Sequence, residues 1–348
     1  MKAIVFSDTH IHPFAQCATL DENGYNERLL DGVEALMLVR KYAEDNSIRL
    51  AFFCGDLFQH RDSLPTEALV FVQREIMKWA EVGITIVGIA GNHDRLSRDV
   101  ATIDAAGNVG RPLPGYGYCE VGGLLVYGLD WVPGAKELKT YLRALEKCKD
   151  SGRVLLLHAT VHGSLQGSER KLIRAKSLLK LKDLPTDAFD WIFVGHIHHH
   201  QKLAKNVIVP GALMQHNFGD ATGVRGFGVV DFDAGTYEHI HLPEIPRFHV
   251  LPYDETPDEY LMKSHVRIVF PTGYKRKGAY DFCLKFKDEH GSRTVVPEFE
   301  SDANVVPQVT EVETASFQDT VDDYVATEKK GKRVARIGKK IVAEATDA

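Results

Sequence analysis

Short runs of apolar residues alternate with longer amphipathic stretches along the first two-thirds of the chain. Ala3–Phe6, Leu50–Cys54, Ile84–Ile89, Val154–Leu157 and Trp191–Val194 are predominantly apolar, rich in β-branched or aromatic residues, and bounded by turn residues. Runs of that length and composition predict buried strands. Between them the period lengthens. Leu29, Val33, Leu36, Met37 and Arg40 fall on one face of a helix opened by Asn26. Pro65-Thr66-Glu67 opens another that carries Leu69, Val72, Ile76 and Trp79, with proline suited to the first turn. Strand–helix–strand repetition predicts a mainly parallel sheet covered by helices. Val207–Val209, Gly226–Phe232 and Tyr237–Leu242 are spaced like a meander and predict a second sheet packed on the first.

Punctuation becomes dense at Leu242-Pro243-Glu244-Ile245-Pro246, which places a boundary there. Val266–Phe270, Tyr280–Glu289 and Thr294–Phe299 then read as strand, helix and strand, a small α/β unit. Residues 301 to 319 are acidic and rich in Ser, Thr and Val, as a linker would be. Beyond them Val321, Tyr324 and Val325 share one helical face, and Val334, Ile337, Ile341 and Ala345 another. The division expected is 1–245 for the main domain, 246–300 for a small α/β domain, and 301–348 for a linker and helical segment.

Composition narrows the class without naming a function. With 348 residues, 44% of them hydrophobic and 26% charged, the chain suits a large globular domain with an appendage. Cys17, Cys54, Cys119, Cys148 and Cys283 are odd in number and never two residues apart, which argues against a disulfide framework or a thiolate metal site. The first apolar run is too short for a signal peptide, and no later run approaches a membrane span. A soluble, cytoplasmic protein with no membrane partner is expected. The net charge of -6 gives no global electrostatic case for a nucleic-acid partner, so such binding would need a local patch.

The chemistry is concentrated where the predicted strands end. The first runs into Asp8-Thr9-His10, the second into Gly55-Asp56, the third into Gly91-Asn92-His93-Asp94. The fourth ends at His158, and the fifth runs into Gly195-His196-Ile197-His198. Each alone has a bland explanation. Gly-Asn-His-Asp is also an ordinary turn, and the run His198-His199-His200 also suits a surface loop. Taken in order they converge, because ligand sites in open α/β sheets form beyond the carboxyl ends of the strands. Carboxylate, imidazole and amide oxygen make a mixed N/O set suited to two divalent ions, with one Asp able to bridge them. If the backbone is extended, Asp8 and His10 point the same way, as do His196 and His198. Gly55, Gly91 and Gly195 are expected to let the chain turn sharply as it leaves the sheet.

The ordered set D-x-H, G-D, G-N-H-D, a lone His after a strand, and G-H-x-H resembles the calcineurin-like metallophosphoesterase superfamily over residues 1 to about 242. Within it the sequence is most similar to the SbcD-type nuclease subunit of DNA repair and recombination complexes, bacteriophage members included. Gly55-Asp56-Leu57-Phe58 followed by Pro65-Thr66-Glu67-Ala68-Leu69 carries that resemblance. So do Pro210-Gly211-Ala212, Asn217-Phe218-Gly219-Asp220 and Arg225-Gly226-Phe227. The resemblance implies a two-sheet α/β sandwich flanked by helices, a small α/β capping domain, and a helical tail that docks on a partner ATPase.

It further implies that Asp8, His10 and His198 hold one ion and Asn92, His158 and His196 the other, with Asp56 bridging. His93 would be the catalytic non-ligand histidine. Mn²⁺ is the metal expected, with Mg²⁺, Fe²⁺, Zn²⁺ and Co²⁺ also compatible. The partners implied are DNA, an SbcC-type ATPase and a second copy of the chain, in a bacterial or phage-infected cell. Departures from the pattern stand at His12, where a glycine is usual, at Gln59, where a histidine is common, and at Asp220, where a glutamate is. His60, Arg61 and Arg95 are the candidate substrate contacts, with Arg98, the basic stretch Arg170 to Lys182, and Lys275-Arg276-Lys277 as further basic patches. The rival readings are a stand-alone phosphoesterase acting on a nucleotide or phosphoprotein, which the acidic charge favours, and a non-catalytic scaffold.

Overall fold

In the computed structural model, described over residues 1–97, 99–110, 115–132, 134–147, 152–166, 170–171, 179–255, 257 and 261–300, the buried strands segregate into two six-stranded sheets. The chain begins with β1 (Lys2–Phe6), α1 (Glu27–Asp45), β2 (Leu50–Phe53), α2 (Thr66–Glu81) and β3 (Thr85–Gly88). It continues through β4 (Val109–Gly110), β5 (Tyr116–Val121), β6 (Leu124–Leu129), α3 (Ala135–Leu145) and β7 (Arg153–His158). A two-residue ribbon, β8 (Leu165–Gln166) with β9 (Arg170–Lys171), precedes β10 (Trp191–Gly195), β11 (Gln201–Ala204) and β12 (Val207–Val209). Then come β13 (Gly226–Asp231), β14 (Thr236–His241), β15 (Phe248–Pro252), β16 (His265–Phe270), α4 (Arg276–His290) and β17 (Thr294–Phe299).

The first sheet runs β14-β13-β1-β2-β3-β4, with β1, β2, β3 and β4 parallel and β13 antiparallel to β1. The second runs β11-β12-β10-β7-β6-β5, with β12, β10, β7 and β6 parallel. The two-sheet α/β sandwich expected from the motifs is therefore present. Its strand allocation differs from the simple reading. The five strands that end in polar motifs are shared three to two between the sheets, and the supposed meander is divided: β12 extends the second sheet, while β13 and β14 extend the first. Local periodicity identifies a buried strand but carries no information about which sheet receives it.

The packing follows from the period of two. In β1, Ala3 and Val5 face the second sheet with Phe52, Val87, Val154, Leu156, Phe193 and Ile208. Ile4 and Phe6 face the other way, onto Leu29, Leu36, Val39, Val72, Ile76 and Trp79 of α1 and α2. The outer face of the second sheet, through Leu155, Leu157, Ile192 and Val194, takes Leu138 and Leu142 of α3. Each central strand is thus buried on both faces, which is why it reads as a continuous apolar run. The Asn26 side chain accepts the N–H of Leu29 at 3.2 Å and caps α1. Arg40 of α1 reaches Glu75 of α2 at 2.6 Å, joining the two helices through a buried pair.

β15, β16 and β17 form a parallel three-stranded sheet, with α4 packed on it through Ala279, Cys283 and Phe286. β15 was not anticipated. Residues Met1–Phe299 pack as one unit. Residues 301–348, including the two expected terminal helices, lie outside the described residues, as do Arg98, Arg174 and Lys176. Among the described residues no helix is long and apolar enough to cross a membrane.

Phe52 is fully buried between the sheets, with its ring 6.2 Å from that of Phe193. Phe52→Ala is expected to lower unfolding free energy by about 3–5 kcal/mol, whereas exposed Met77→Ala should change it by about 0.5 kcal/mol or less, both read by urea denaturation.

Candidate metal centre

Three loops at the carboxyl ends of β1, β2 and β3 are laced together before any side chain is considered. Asp8 N–H donates to Gly55 O at 2.9 Å, His10 N–H to Asp56 O at 3.1 Å, and Ile11 N–H to Leu57 O at 2.9 Å. Asp94 supplies the second lacing. Its buried carboxylate accepts the N–H groups of Asp56 at 2.6 Å, Gly91 at 3.0 Å and Leu57 at 3.0 Å. Burial and the nearby Asp56 charge nonetheless raise its pKa to about 6. The last residue of Gly-Asn-His-Asp is therefore a structural tie.

The backbone at the ligands is not extended. Asp8, His10, Asp56 and His196 have φ of 52°, 44°, 62° and 92°. The convergence of Asp8 with His10, and of His196 with His198, arises from left-handed turns and not from strand alternation. Asp and His enter this region more readily than most residues, yet each costs about 1–3 kcal/mol. The loop hydrogen bonds hold them there. Of the three glycines expected to supply sharp turns, Gly55 has positive φ, at 95°. Gly91 and Gly195 are needed for close approach instead. A Cβ on Gly91 would stand 2.0 Å from Asp56 Oδ1, and one on Gly195 would stand 2.1 Å from Cys54 O.

Asp56, 1% exposed, occupies the middle. Its Oδ1 accepts His93 N–H at 2.8 Å. Its Oδ2 lies 3.3 Å from His158 Nε2 on one side and 3.6 Å from His10 Nε2 on the other. Toward the first side, Asn92 Oδ1 is 3.1 Å from His158 Nε2 and 2.9 Å from His196 Nδ1. Toward the second, His198 Nε2 is 3.2 Å from His10 Nε2, and Asp8 Oδ1 is 3.9 Å from it. All seven side chains singled out from the sequence thus meet in one pocket, in two sets that share Asp56.

Outer contacts aim the imidazoles. His158 Nδ1 donates to Cys54 O at 2.7 Å, and His198 Nδ1 to Asp220 at 3.3 Å, leaving each Nε2 for the pocket. Histidines that bind metals are held in this way, by a carbonyl or carboxylate on the far nitrogen. The electrostatics also fit a cation. Burial works against a charged His158, but the Asp56 carboxylate overrides it and raises its pKa to about 9. Asp56 is held well below the usual carboxylate range by His158, although burial pushes the other way. Burial lowers His196 to about 4, and it lowers His10 strongly as well. The pocket draws a proton in where positive charge is missing and keeps His10 and His196 neutral, as metal ligands must be, whereas at His198 burial is outweighed by Asp220, which raises it. Groups from this set lie close enough to share an ion, notably Asp56 with His158 and His196. The buried carboxylates and uncharged imidazoles fit divalent cations.

His216 was not foreseen. It is buried, donates from Nε2 to Asp8 O at 3.0 Å, and stacks edge-on against His10 with ring centroids 4.9 Å apart. It braces the left-handed turn at Asp8, and its only signal was a histidine between two stretches that carried the resemblance. The candidate substrate contacts differ among themselves. His60 and Arg61 are exposed at the rim. Arg61 Nη1 donates to Asn92 O at 3.4 Å, and His60 packs edge-on against His12 at 4.7 Å. Arg95 is placed differently from expectation: its guanidinium donates to Trp131 O and to Ser97 O, so it ties loops together.

A buried N/O donor set at the strand ends of a two-sheet sandwich is suited to binding divalent metal ions. The chain belongs to the calcineurin-like phosphoesterase family, whose model matches residues 1–200, a span that holds all seven candidate ligands. It is therefore a metal-dependent phosphoesterase. Among solved structures it is similar to an archaeal phosphodiesterase, 15% identical, over 70% of this chain and 100% of that one with a TM-score of 0.35. It is also similar to a dimetal phosphatase from Danio rerio, 8% identical, over 66% and 91% with a TM-score of 0.38. A protein of unknown function from Aquifex aeolicus is 14% identical over 52% and 88%, with a TM-score of 0.27. Similarities this loose say nothing about substrate.

Gly91→Ala should drive a methyl group into Asp56 and weaken Mn²⁺ retention by on the order of 10–100-fold. Gly134→Ala, where a Cβ meets open space, should retain metal like the unaltered protein. Metal content after dialysis, read by mass spectrometry, checks both.

Proposed function

We propose that the protein is a DNA phosphodiesterase with exo- and endonuclease activity, the catalytic subunit of an SbcCD-like complex that processes double-strand ends. The observation that carries this reading is a two-set ligand pocket, pivoted on Asp56, that opens beside exposed Arg61 and His60. The appended α/β sheet and the motif resemblance support it over a stand-alone phosphatase. The net charge of -6 favours that rival, a phosphoesterase for a small nucleotide or phosphoprotein.

Two divalent ions held here, Mn²⁺ being the metal expected, would supply a nucleophile at neutral pH and neutralise charge on the phosphoryl oxygens. Asp8, His10 and His198 would hold one, Asn92, His158 and His196 the other, and Asp56 both. Asn92 contributes a neutral oxygen and keeps the pocket less anionic, which suits a phosphate. His93 is committed on one side: its Nδ1 donates to Gln59 O at 2.6 Å. Nε2 is then the nitrogen that takes up a proton and delivers it to the leaving oxygen. The ring packs edge-on against His10 with centroids 4.7 Å apart, which keeps it beside the reacting phosphate. His93 also lies within ligand reach of Asp56 and His10.

His93→Asn is expected to retain its full complement of metal while turnover falls by about 10²–10⁴-fold. Loss of metal in that variant would make His93 a ligand. With Mn²⁺ the protein should degrade end-labelled linear duplex from its ends. Cleavage of bis-p-nitrophenyl phosphate or a phosphopeptide without DNA cleavage would favour the small-substrate rival, and no cleavage with metal bound would favour a scaffold. We further propose that residues 301–348 bind the ATPase. Deleting them should abolish its capture in a pull-down, and a truncated chain that still captures it refutes the proposal.

A further inference from the structure

β6 is a parallel neighbour of β7 in the second sheet, and its carboxyl end brings one more pair of residues to the rim, Asp130 and Trp131. No metal motif accounts for them. Trp131 is half-buried, whereas the other two tryptophans, Trp79 and Trp191, are 0% and 6% exposed. Its backbone is pinned on both sides. Its N–H donates to Ala90 O at 2.8 Å, and its carbonyl receives the Arg95 guanidinium. The preceding Asp130 accepts Ala90 N–H and Gly115 N–H, each at 2.8 Å. The backbone that carries the indole is therefore held in place from both sides.

Trp131 bounds a cavity of about 350 Å³ whose other sides are Gln59, His60, Arg61, Asp62, Asn92 and His93. The volume falls in the range of small-ligand clefts, about 300–1,000 Å³. Its lining combines an aromatic residue, a guanidinium and two imidazoles with one carboxylate residue, Asp62, next to Arg61 in the chain. An aromatic face beside a cationic group is the combination that holds single-stranded nucleic acid, by stacking a base and binding the adjoining phosphate. Metal-centre residues Asn92 and His93 border the same space, so a ligand seated there lies next to the reacting phosphate. In the mechanism proposed above, His93 serves the leaving oxygen. The base therefore belongs to the nucleoside that leaves.

We propose that this cavity is a subsite for the leaving nucleoside, with Trp131 stacking its base and Arg61 drawing the adjacent phosphate. The proposal rests on the reading of the protein as a nuclease. It implies that the enzyme unstacks the nucleotide flanking the cut, a step that is easiest at frayed ends and in single strands. A backbone already held at Trp131 lowers the ordering cost of taking up the base.

The test uses the full-length chain in Mn²⁺ buffer. Tryptophan fluorescence is titrated with thymidine 5′-monophosphate and with deoxyribose 5-phosphate, which has no base. The expected result is quenching by the first ligand at concentrations where the second has little effect, with the quench lost in Trp131→Phe. Cleavage is then compared on oligonucleotides with and without a base on the leaving side of the cut. The unaltered enzyme should prefer the base-bearing substrate by roughly tenfold or more in kcat/KM. That preference should collapse toward one in Trp131→Ala and persist in Trp131→Phe. Equal quenching by both ligands, or none, overturns the proposal. So does a Trp131→Ala enzyme that is slower on both substrates in the same proportion, which marks a purely structural role. Should the protein hydrolyse bis-p-nitrophenyl phosphate but no DNA, the nuclease reading fails, and the titration alone decides the subsite.

Discussion

A buried carboxylate that must be answered by positive charge is the constraint that organises this molecule. Asp56 has surrendered its water, and its protein partners are one backbone N–H and the imidazoles of His158 and His10. Such a group is costly to bury unless cations or several hydrogen bonds answer it. The neighbouring residues are arranged so that cations can do so, with lone pairs of His10, His158, His196 and His198 turned inward and their far nitrogens, where restrained, bound to Cys54 O or Asp220. Much of the local backbone serves that arrangement. Left-handed turns at Asp8, His10 and His196, glycines at 55, 91 and 195, and the Asp94 tie are what allow separate loops to touch.

The segment Gln215–Asp220 links this centre to the small sheet. Asp220 and His216 face inward, to His198 and to the carbonyl of Asp8. Gln215 and Phe218 face outward. Gln215 accepts the Phe248 N–H at 2.5 Å, and the Phe218 ring lies 4.9 Å from Phe248 beneath the Arg267 guanidinium. Arg28 strengthens the junction, donating to His216 O at 2.9 Å while its guanidinium stacks between Phe14 and Phe248. Arg293 binds Asp31 at 2.6 Å from the same side. The small sheet is thus joined by direct contacts to the residues that hold His198 and the Asp8 turn.

Legibility in the sequence followed burial. Strands buried on both faces, β1, β2, β3, β7 and β10, stood out as apolar runs, and their ends carried the ligands. α1 and α2 were visible because one face of each packs on a sheet. β5 and β6 passed unnoticed, since β5 is only half-covered and β6 alternates buried with half-buried positions. β15, at the edge of the small sheet, has one buried residue, Phe248, followed by alternating half-buried and exposed positions, and offers too little pattern to separate it from a loop. His216, Asp94 in its tying role, and Trp131 carry no spacing signal, because each acts on residues far away in the chain.

The sequence by itself determined the α/β class, the order of the motifs and the seven side chains of the centre, because strand ends in such sheets converge and the ligand types suit divalent ions. Tertiary structure alone decided how the strands divide between two sheets, that the ligand turns are left-handed, that Arg95 binds carbonyls, and that Trp131 walls the cavity beside His93. Periodicity records whether a residue is buried. It does not record which distant surface buries it, and each of those four features depends on that pairing.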